Sequence, residues 1–243
     1  MNALREKVLE VLQTPDLTEE ELRRRVREIL NGESVPGRMA YEEFLAWADE
    51  DTLAEWVNGE VVMYSPASKK HQRLVMFLDR LVGQYVEILG LGEIFVPPFQ
   101  MKLAHSGREP DLLFVAKAHL DRLKETYLDG PADMVVEIIS DESAGRDRGE
   151  KFYEYEEAGI PEYWLLDPRR PRAEFYLLDE QGNYRLALSG SSGKFTSEVL
   201  EGFWLMVEWL WQEPPPSPLQ LLSEITGADP SLAEKFEQAL RRR

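Results

Sequence analysis

Residues 135–168 read VVEIISDESAGRDRGEKFYEYEEAGIPEYWLLDP. The opening VVEIIS has the length and β-branched content of a strand buried in a sheet. A polar loop follows, then a helix predicted over Asp147–Ala158. Phe152, Tyr155 and Ala158 form its core face, and Gly159 and Pro161 form its stop. A second apolar run, Tyr163–Asp167, reads as another strand. Glu137 stands in the middle of the first run. A buried, unpaired carboxylate costs several kcal/mol, so it needs a partner: a lysine, a hydrogen-bond donor or a metal ion.

Outward from this stretch, the pattern of a sheet holding helices continues. Upstream, LAEWVNGEVVMY places Asn58-Gly59 between two alternating runs, a strong hairpin signal. Ser65-Pro66 opens a long helix carrying Leu74, Phe77, Leu78, Leu81, Val82, Tyr85 and Leu89 at helical spacing. Strands are predicted at Glu93–Val96, Phe99–Leu103, Leu112–Ala116 and Met134–Ile139. Downstream they are predicted at Ala173–Leu178, Tyr184–Leu188 and Lys194–Val199. Three segments result. Residues 1–37 form a helical extension, with a capping box at Thr18 and Glu21. Residues 38–201 form the α/β (α+β) domain. Residues 202–243 hold the aromatic, proline-rich run FWLMVEWLWQEPPPSP and two C-terminal helices.

Composition narrows the chemistry. The 243 residues contain no cysteine, which excludes disulfides and thiolate zinc sites. With three histidines against 45 acidic residues, a bound metal would be a hard, oxygen-preferring one such as Mg²⁺ or Mn²⁺. No apolar run reaches the ~18 residues of a membrane span. The start MNALREKVLEVLQ lacks a signal-peptide core, so a cytoplasmic location is the expectation. The formal net charge of −17 argues against a nucleic-acid-coated surface and demands a local gathering of cations for any polyanion partner.

Two strands carry the candidate chemistry. EPDLLFV (109–115) and VVEIIS (135–140) each hold one carboxylate, Asp111 and Glu137, at or inside an apolar strand. If the strands are neighbours, both carboxylates converge on one cation, and Lys151 is placed to point back from the following helix. Lys69, Lys70, His71 and Arg73 gather at the start of the long helix, with Arg108 before Asp111 and Arg148 after Asp147. These are candidate phosphate contacts, of a weak and salt-sensitive kind.

The segments YEEFL, NGEVVMYSP, His71-Gln72, Pro110-Asp111, VVEIIS and DRGEKFYEYEEAGIPEYWLLDP resemble the family described as putative restriction endonucleases. That family belongs to the restriction-endonuclease-like, PD-(D/E)XK, superfamily, and the likeness runs from Tyr41 to Leu188. It implies a central mixed sheet flanked by helices and a Mg²⁺-dependent endonuclease acting on DNA. Asp111 and Glu137 would be metal ligands, with the Ile138 carbonyl a possible third. The superfamily lysine would stand at 139, where this chain has isoleucine, so the resemblance assigns its role to Lys151. Glu60, counted with the catalytic residues, and His71 match recurrent positions at the edge of the site.

Structural alternatives stand beside these assignments. Glu137 and Lys151 could form a plain buried salt bridge, leaving a catalytically inactive module that binds nucleic acid or protein. Asp147 reads as a helix cap and His71 as an exposed first-turn residue. Bare tail aromatics (Phe203, Trp204, Trp209, Trp211) would favour a homodimer or an even-numbered assembly.

Overall fold

The computed structural model describes Thr18, Glu21 and residues 38–48, 52–140 and 143–241. The helices predicted before residue 38 fall outside the described residues, apart from their capping box. There the Thr18 N–H donates to Glu21 at 3.0 Å, and the Glu21 N–H donates to the Thr18 hydroxyl at 3.2 Å.

The described elements open with α1 (Tyr41–Trp47) and the hairpin β1 (Ala54–Val57) and β2 (Glu60–Met63). Asn58 and Gly59 both take positive φ, 50° and 88°, as a two-residue hairpin turn of matching twist requires. The long helix starts at Lys69 with Ser68 as its cap. It runs as α2 (Lys69–Leu78), a π-helical turn (Asp79–Gly83) and α3 (Gln84–Leu89), ending at Gly90 in the left-handed region. Then come β3 (Gly92–Phe95), β4 (Gln100–Lys102), β5 (Ser106–Arg108), β6 (Leu112–Ala116), β7 (Tyr127–Asp129) and β8 (Met134–Ile138). The predicted helix is two pieces, α4 (Ala144–Arg148) and α5 (Glu150–Glu157), meeting at Gly149. Strands β9 (Glu162–Asp167), β10 (Arg172–Leu178), β11 (Tyr184–Gly190), β12 (Lys194–Thr196) and β13 (Trp204–Met206) follow, then α6 (Pro218–Thr226) and α7 (Pro230–Arg241).

Two mixed sheets result. The larger has order β11-β10-β9-β8-β6-β3, with only β8 and β9 parallel. The smaller has order β2-β1-β5-β4-β7. Strand alternation then sorts the side chains. Leu112, Phe114, Met134, Val136 and Ile138 pack toward the α2–α3 helix and the C-terminal segment. Leu113, Val115, Val135 and Ile139 pack toward Tyr155 of α5 and toward Met101 and Leu128 of the smaller sheet. The strands are therefore covered on both faces, which is why they read as continuous apolar runs.

The segment boundary expected near residue 201 runs through this core. Phe203, Leu205, Val207, Trp209, Leu210, Leu221, Leu222 and Ile225 are buried in the same cluster as α2 and β8. Trp209 is 9% exposed, so the tail aromatics are not the bare patch that the dimer expectation rested on. The Asp147 cap is also corrected. Ser143 holds the cap position of α4, and Asp147 lies inside the helix, fully buried. Among the described residues no helix is long and apolar enough to cross a membrane.

Candidate active site

Asp111 and Glu137 meet because β6 and β8 pair antiparallel. The last pair in their register is Leu112 with Val136, so the next step outward sets Asp111 opposite Glu137. Asp111 Oδ2 accepts the Ile138 N–H at 2.7 Å, which fixes one carboxylate against the backbone that carries the other. Its second oxygen lies 3.1 Å from His71 Nε2 at the start of α2. Glu137 faces the opposite way from its apolar neighbours Val136 and Ile138, toward α5. There its Oε1 accepts from Lys151 Nζ at 2.9 Å and Tyr155 Oη at 2.7 Å.

The smaller sheet supplies the other wall. Trp56 pairs with Gly107, so the next step sets Glu55 of β1 opposite Arg108 of β5. Glu55 lies 3.0 Å from Lys151 Nζ and accepts from Arg108 at 3.2 Å. Arg108, 1% exposed, also reaches Glu150 at 2.7 Å and Glu154 at 2.8 Å through Nε. The helices close the site. Asp147, Lys151 and Tyr155 recur every fourth residue, one stripe across the Gly149 break. Asp147 Oδ1 is 3.7 Å from Lys151 Nζ, and neither Asp147 oxygen makes a well-formed hydrogen bond, although the Ser143 side chain interacts with its carboxyl.

Charge is unbalanced here. Burial raises Glu137 above the usual carboxylate range; Lys151 opposes this, while Asp147, Asp111 and Glu55 add to it. Burial raises Asp147 too. Glu55 differs, because Lys151 and Arg108 outweigh its burial and lower it. Lys151 is carried above the ordinary amine range. Its burial pulls the other way but is outweighed by Glu137, Glu55 and Asp147. Three carboxylates, Glu137, Glu55 and Asp147, thus share Lys151, and Arg108 relieves only Glu55 among them. Among the described residues no three His, Asp or Glu side chains are gathered tightly enough to enclose an ion as they stand. The donor set of Asp111, Glu137 and the Ile138 carbonyl nevertheless fits a hard divalent cation: it is all oxygen and lies where carboxylates outnumber the cations facing them.

A family model described as Uma2, putative restriction endonuclease, matches residues 41–208. The chain belongs to the Uma2 family. An uncharacterized protein of Synechocystis is 28% identical over 142 residues, covering 55% of this chain and 77% of its own length. A crystal structure described as a putative nuclease of the DUF820 family from Anabaena variabilis superposes with a TM-score of 0.62. It is 13% identical and covers 71% of this chain and 97% of that one. That likeness concerns the fold, a mixed α/β arrangement of sheets flanked by helices.

Within this Uma2 fold the expected residues divide. Asp111, Glu137, Ile138 and Lys151 come together, and His71 joins them, buried rather than exposed as its first-turn position suggested. Glu60 does not. It sits at the exposed turn end of the hairpin, 3.2 Å from Arg38, and Glu55 is the hairpin carboxylate that reaches the site. Arg108 is buried among carboxylates and cannot serve as a phosphate contact. Arg148 is tied to Glu174 at 2.8 Å. Lys69, Lys70 and Arg73 remain exposed, with Arg73 4.0 Å from Glu213. The site residues that sequence reasoning missed are Glu55, which it left unassigned, Asp147, which it read as a helix cap, and Tyr155, which it placed on a core face. The every-fourth-residue stripe was the available signal for the last two.

Proposed function

We propose that this protein is a divalent-metal-dependent nuclease, using Mg²⁺ or Mn²⁺ to hydrolyse phosphodiester bonds in DNA. The observation that carries the reading is the register of β6 and β8, which opposes Asp111 and Glu137 with Lys151 2.9 Å from the latter. Asp111 and Glu137 would hold the cation, with the Ile138 carbonyl as a third oxygen. When bound, the metal polarises the phosphate and lowers the pKa of a water. His71 and the Ile138 N–H orient Asp111, and Tyr155 orients Glu137. Lys151 keeps its proton among three carboxylates, so its work is to orient water and to neutralise charge developing on the phosphate, not to abstract a proton.

The DNA strand would approach past the start of α2. Its first turn carries Lys69 and Lys70 and no acidic residue, an arrangement that disfavours the helix dipole but suits an anion. Lys70 and Arg73 also line a cleft of about 230 Å³ with Pro168 and Trp211. Arg146, one residue before Asp147, has a buried Nε–H with no acceptor and is a further candidate for phosphate.

A second reading has an observation in its favour: Lys151 is engaged at 3.0 Å or less by both Glu55 and Glu137, as a purely structural network would have it. The protein would then be a nuclease-fold binding module. Calorimetry with Mn²⁺ separates the two. The nuclease reading expects binding in the wild type, a large loss in Asp111→Asn and Glu137→Gln, and Mg²⁺-dependent plasmid nicking at low salt. Lys151→Ala should then keep metal binding and lose ~10²–10⁴-fold in nicking. Equal Mn²⁺ binding in all three proteins, or metal binding with no cleavage of any substrate, would favour the module.

A further inference from the structure

Asp147 is unexplained by the metal reading as it stands. It is fully buried, it does not cap its helix, and neither oxygen makes a well-formed hydrogen bond, the Ser143 side chain giving its carboxyl only partial relief from burial. A buried carboxylate so weakly compensated is among the costlier features a fold can retain. Its nearest cation is Lys151, one helical turn on, at 3.7 Å.

Lys151 presents the complementary problem. Its ammonium sits 2.9 Å from Glu137 Oε1, on the carboxylate that the metal would need. Lys151 and Tyr155 both bond that Oε1, which leaves Oε2 for a cation, and a divalent cation there would still repel the neighbouring ammonium in so buried a site. The repulsion favours a shift of the ammonium away from Glu137. Glu55 already holds it at 3.0 Å and is shared with Arg108, so it offers no new compensation. Asp147 does. A change in the lysine torsions that closes the 3.7 Å gap by about 1 Å would make a charge-assisted hydrogen bond of ordinary length.

We propose that Asp147 is the receiving carboxylate for Lys151: with a cation held by Glu137, the Lys151 ammonium would shift to Asp147, one turn back along the same helix face. This rests on the reading of Asp111 and Glu137 as metal ligands. Asp147 is then a positioning residue acting through Lys151, not a ligand. It makes room for the metal and keeps the ammonium beside the site, charged and oriented.

The test is a double-mutant cycle on the full chain, read as Mn²⁺ affinity by calorimetry, with thermal melts to establish that each variant folds. Asp147→Asn should weaken Mn²⁺ binding by ~10–100-fold, the usual effect of losing an outer partner of a metal site. Lys151→Met should not weaken it. The double variant should bind like Lys151→Met, because with no ammonium to relocate Asp147 has nothing to do. A double variant as weak as Asp147→Asn would make Asp147 a direct ligand and overturn the proposal, as would an unaffected Asp147→Asn. If Lys151→Met fails to fold, the ¹⁵Nζ resonance of Lys151 decides. It should shift with Mg²⁺ in the wild type and stay fixed in Asp147→Asn; no shift in the wild type would overturn the idea. Wild type that binds no Mn²⁺ would overturn the metal reading itself, and this inference with it. Binding lost in Asp111→Asn but intact in Asp147→Asn would sink this inference alone.

Discussion

Arg108 and Lys70 show how differently two cations of one chain can be used. Lys70 lies exposed in the first turn of α2, where it can meet solvent or a phosphate. Arg108 is 1% exposed, and its guanidinium is divided among Glu55, Glu150 and Glu154. Three carboxylates satisfy most of its donors, which is the condition for burying an arginine at all. Replacing it leaves Glu55 buried with one cation fewer. Arg108→Met should therefore destabilise the fold by about 3–5 kcal/mol in urea unfolding. Lys70→Ala should leave stability unchanged and lower the salt slope of DNA binding by about 1. An Arg108→Met protein as stable as wild type would return Arg108 to the phosphate-binding role its position before Asp111 first suggested. That role could not be judged in sequence, because burial of Arg108 comes from a pairing between β5 and β1, some fifty residues apart (Gly107 with Trp56).

At the scale of elements, local chemistry was legible where an element made its own boundary. Asn58-Gly59 turned the hairpin, Gly159 stopped α5, and the β6 prediction coincides with Leu112–Ala116. The strands missed, β5 and β7, are three residues each and carry no alternation long enough to register. Yet β5 brings Arg108 to the site and depends on Gly107. A Cβ there would lie 2.4 Å from the Tyr41 ring and 2.5 Å from the Gln100 side chain, both buried. Gly107→Ala should cost about 1–3 kcal/mol through this overpacking and slow any activity through β5; a melting temperature equal to wild type would show that α1 can yield. The split helix makes a different prediction. Arg148, at the end of α4, pins it to Glu174 of β10 at 2.8 Å, and the bonds from Arg148 and Tyr176 hold the Glu174 carboxyl below its ordinary range despite its burial. A depressed carboxylate stabilises the fold above its unfolded pKa, and that contribution is lost as pH falls through the folded value. Glu174→Gln should thus be less stable than wild type by about 1 kcal/mol at pH 7, Arg148 being partly exposed. The gap should persist down to about pH 5 and close as the pH drops below 4.5. Denaturation curves giving a gap independent of pH would remove this ion pair from the acid response.

At the scale of the whole molecule, the tail was the least legible part. FWLMVEWLW reads as a packed or partner-covered strand, and Phe203, Trp204, Trp209 and Trp211 in it suggested a surface awaiting a partner. Its partner is the chain itself. Short β13 pairs with β12, a tight 3₁₀ turn over Val207–Trp211 follows, and α6 then lays Leu221, Leu222 and Ile225 against the α2–α3 side of the larger sheet. Trp164 of β9 stacks on Phe203, with ring centroids 6.2 Å apart, and Tyr85 donates to the Glu201 carbonyl at 2.7 Å. Such contacts, more than a hundred residues apart in sequence for Tyr85, are set by the assembled sheet and leave no local trace. They have a measurable consequence. Each fully buried large apolar side chain contributes about 1.5–3 kcal/mol, and a domain's whole stability is about 5–15 kcal/mol. Loss of Phe203, Leu205, Val207, Trp209, Leu210 and the α6 residues exceeds that margin, so a chain ending at Glu201 should not fold. It should show no cooperative melt by circular dichroism and should expose apolar surface to a hydrophobic dye, whereas a chain ending at Gly227 should melt cooperatively. A Glu201-terminated protein with a sharp, wild-type-like transition would mean that the sheet and α2–α3 close their core without the tail.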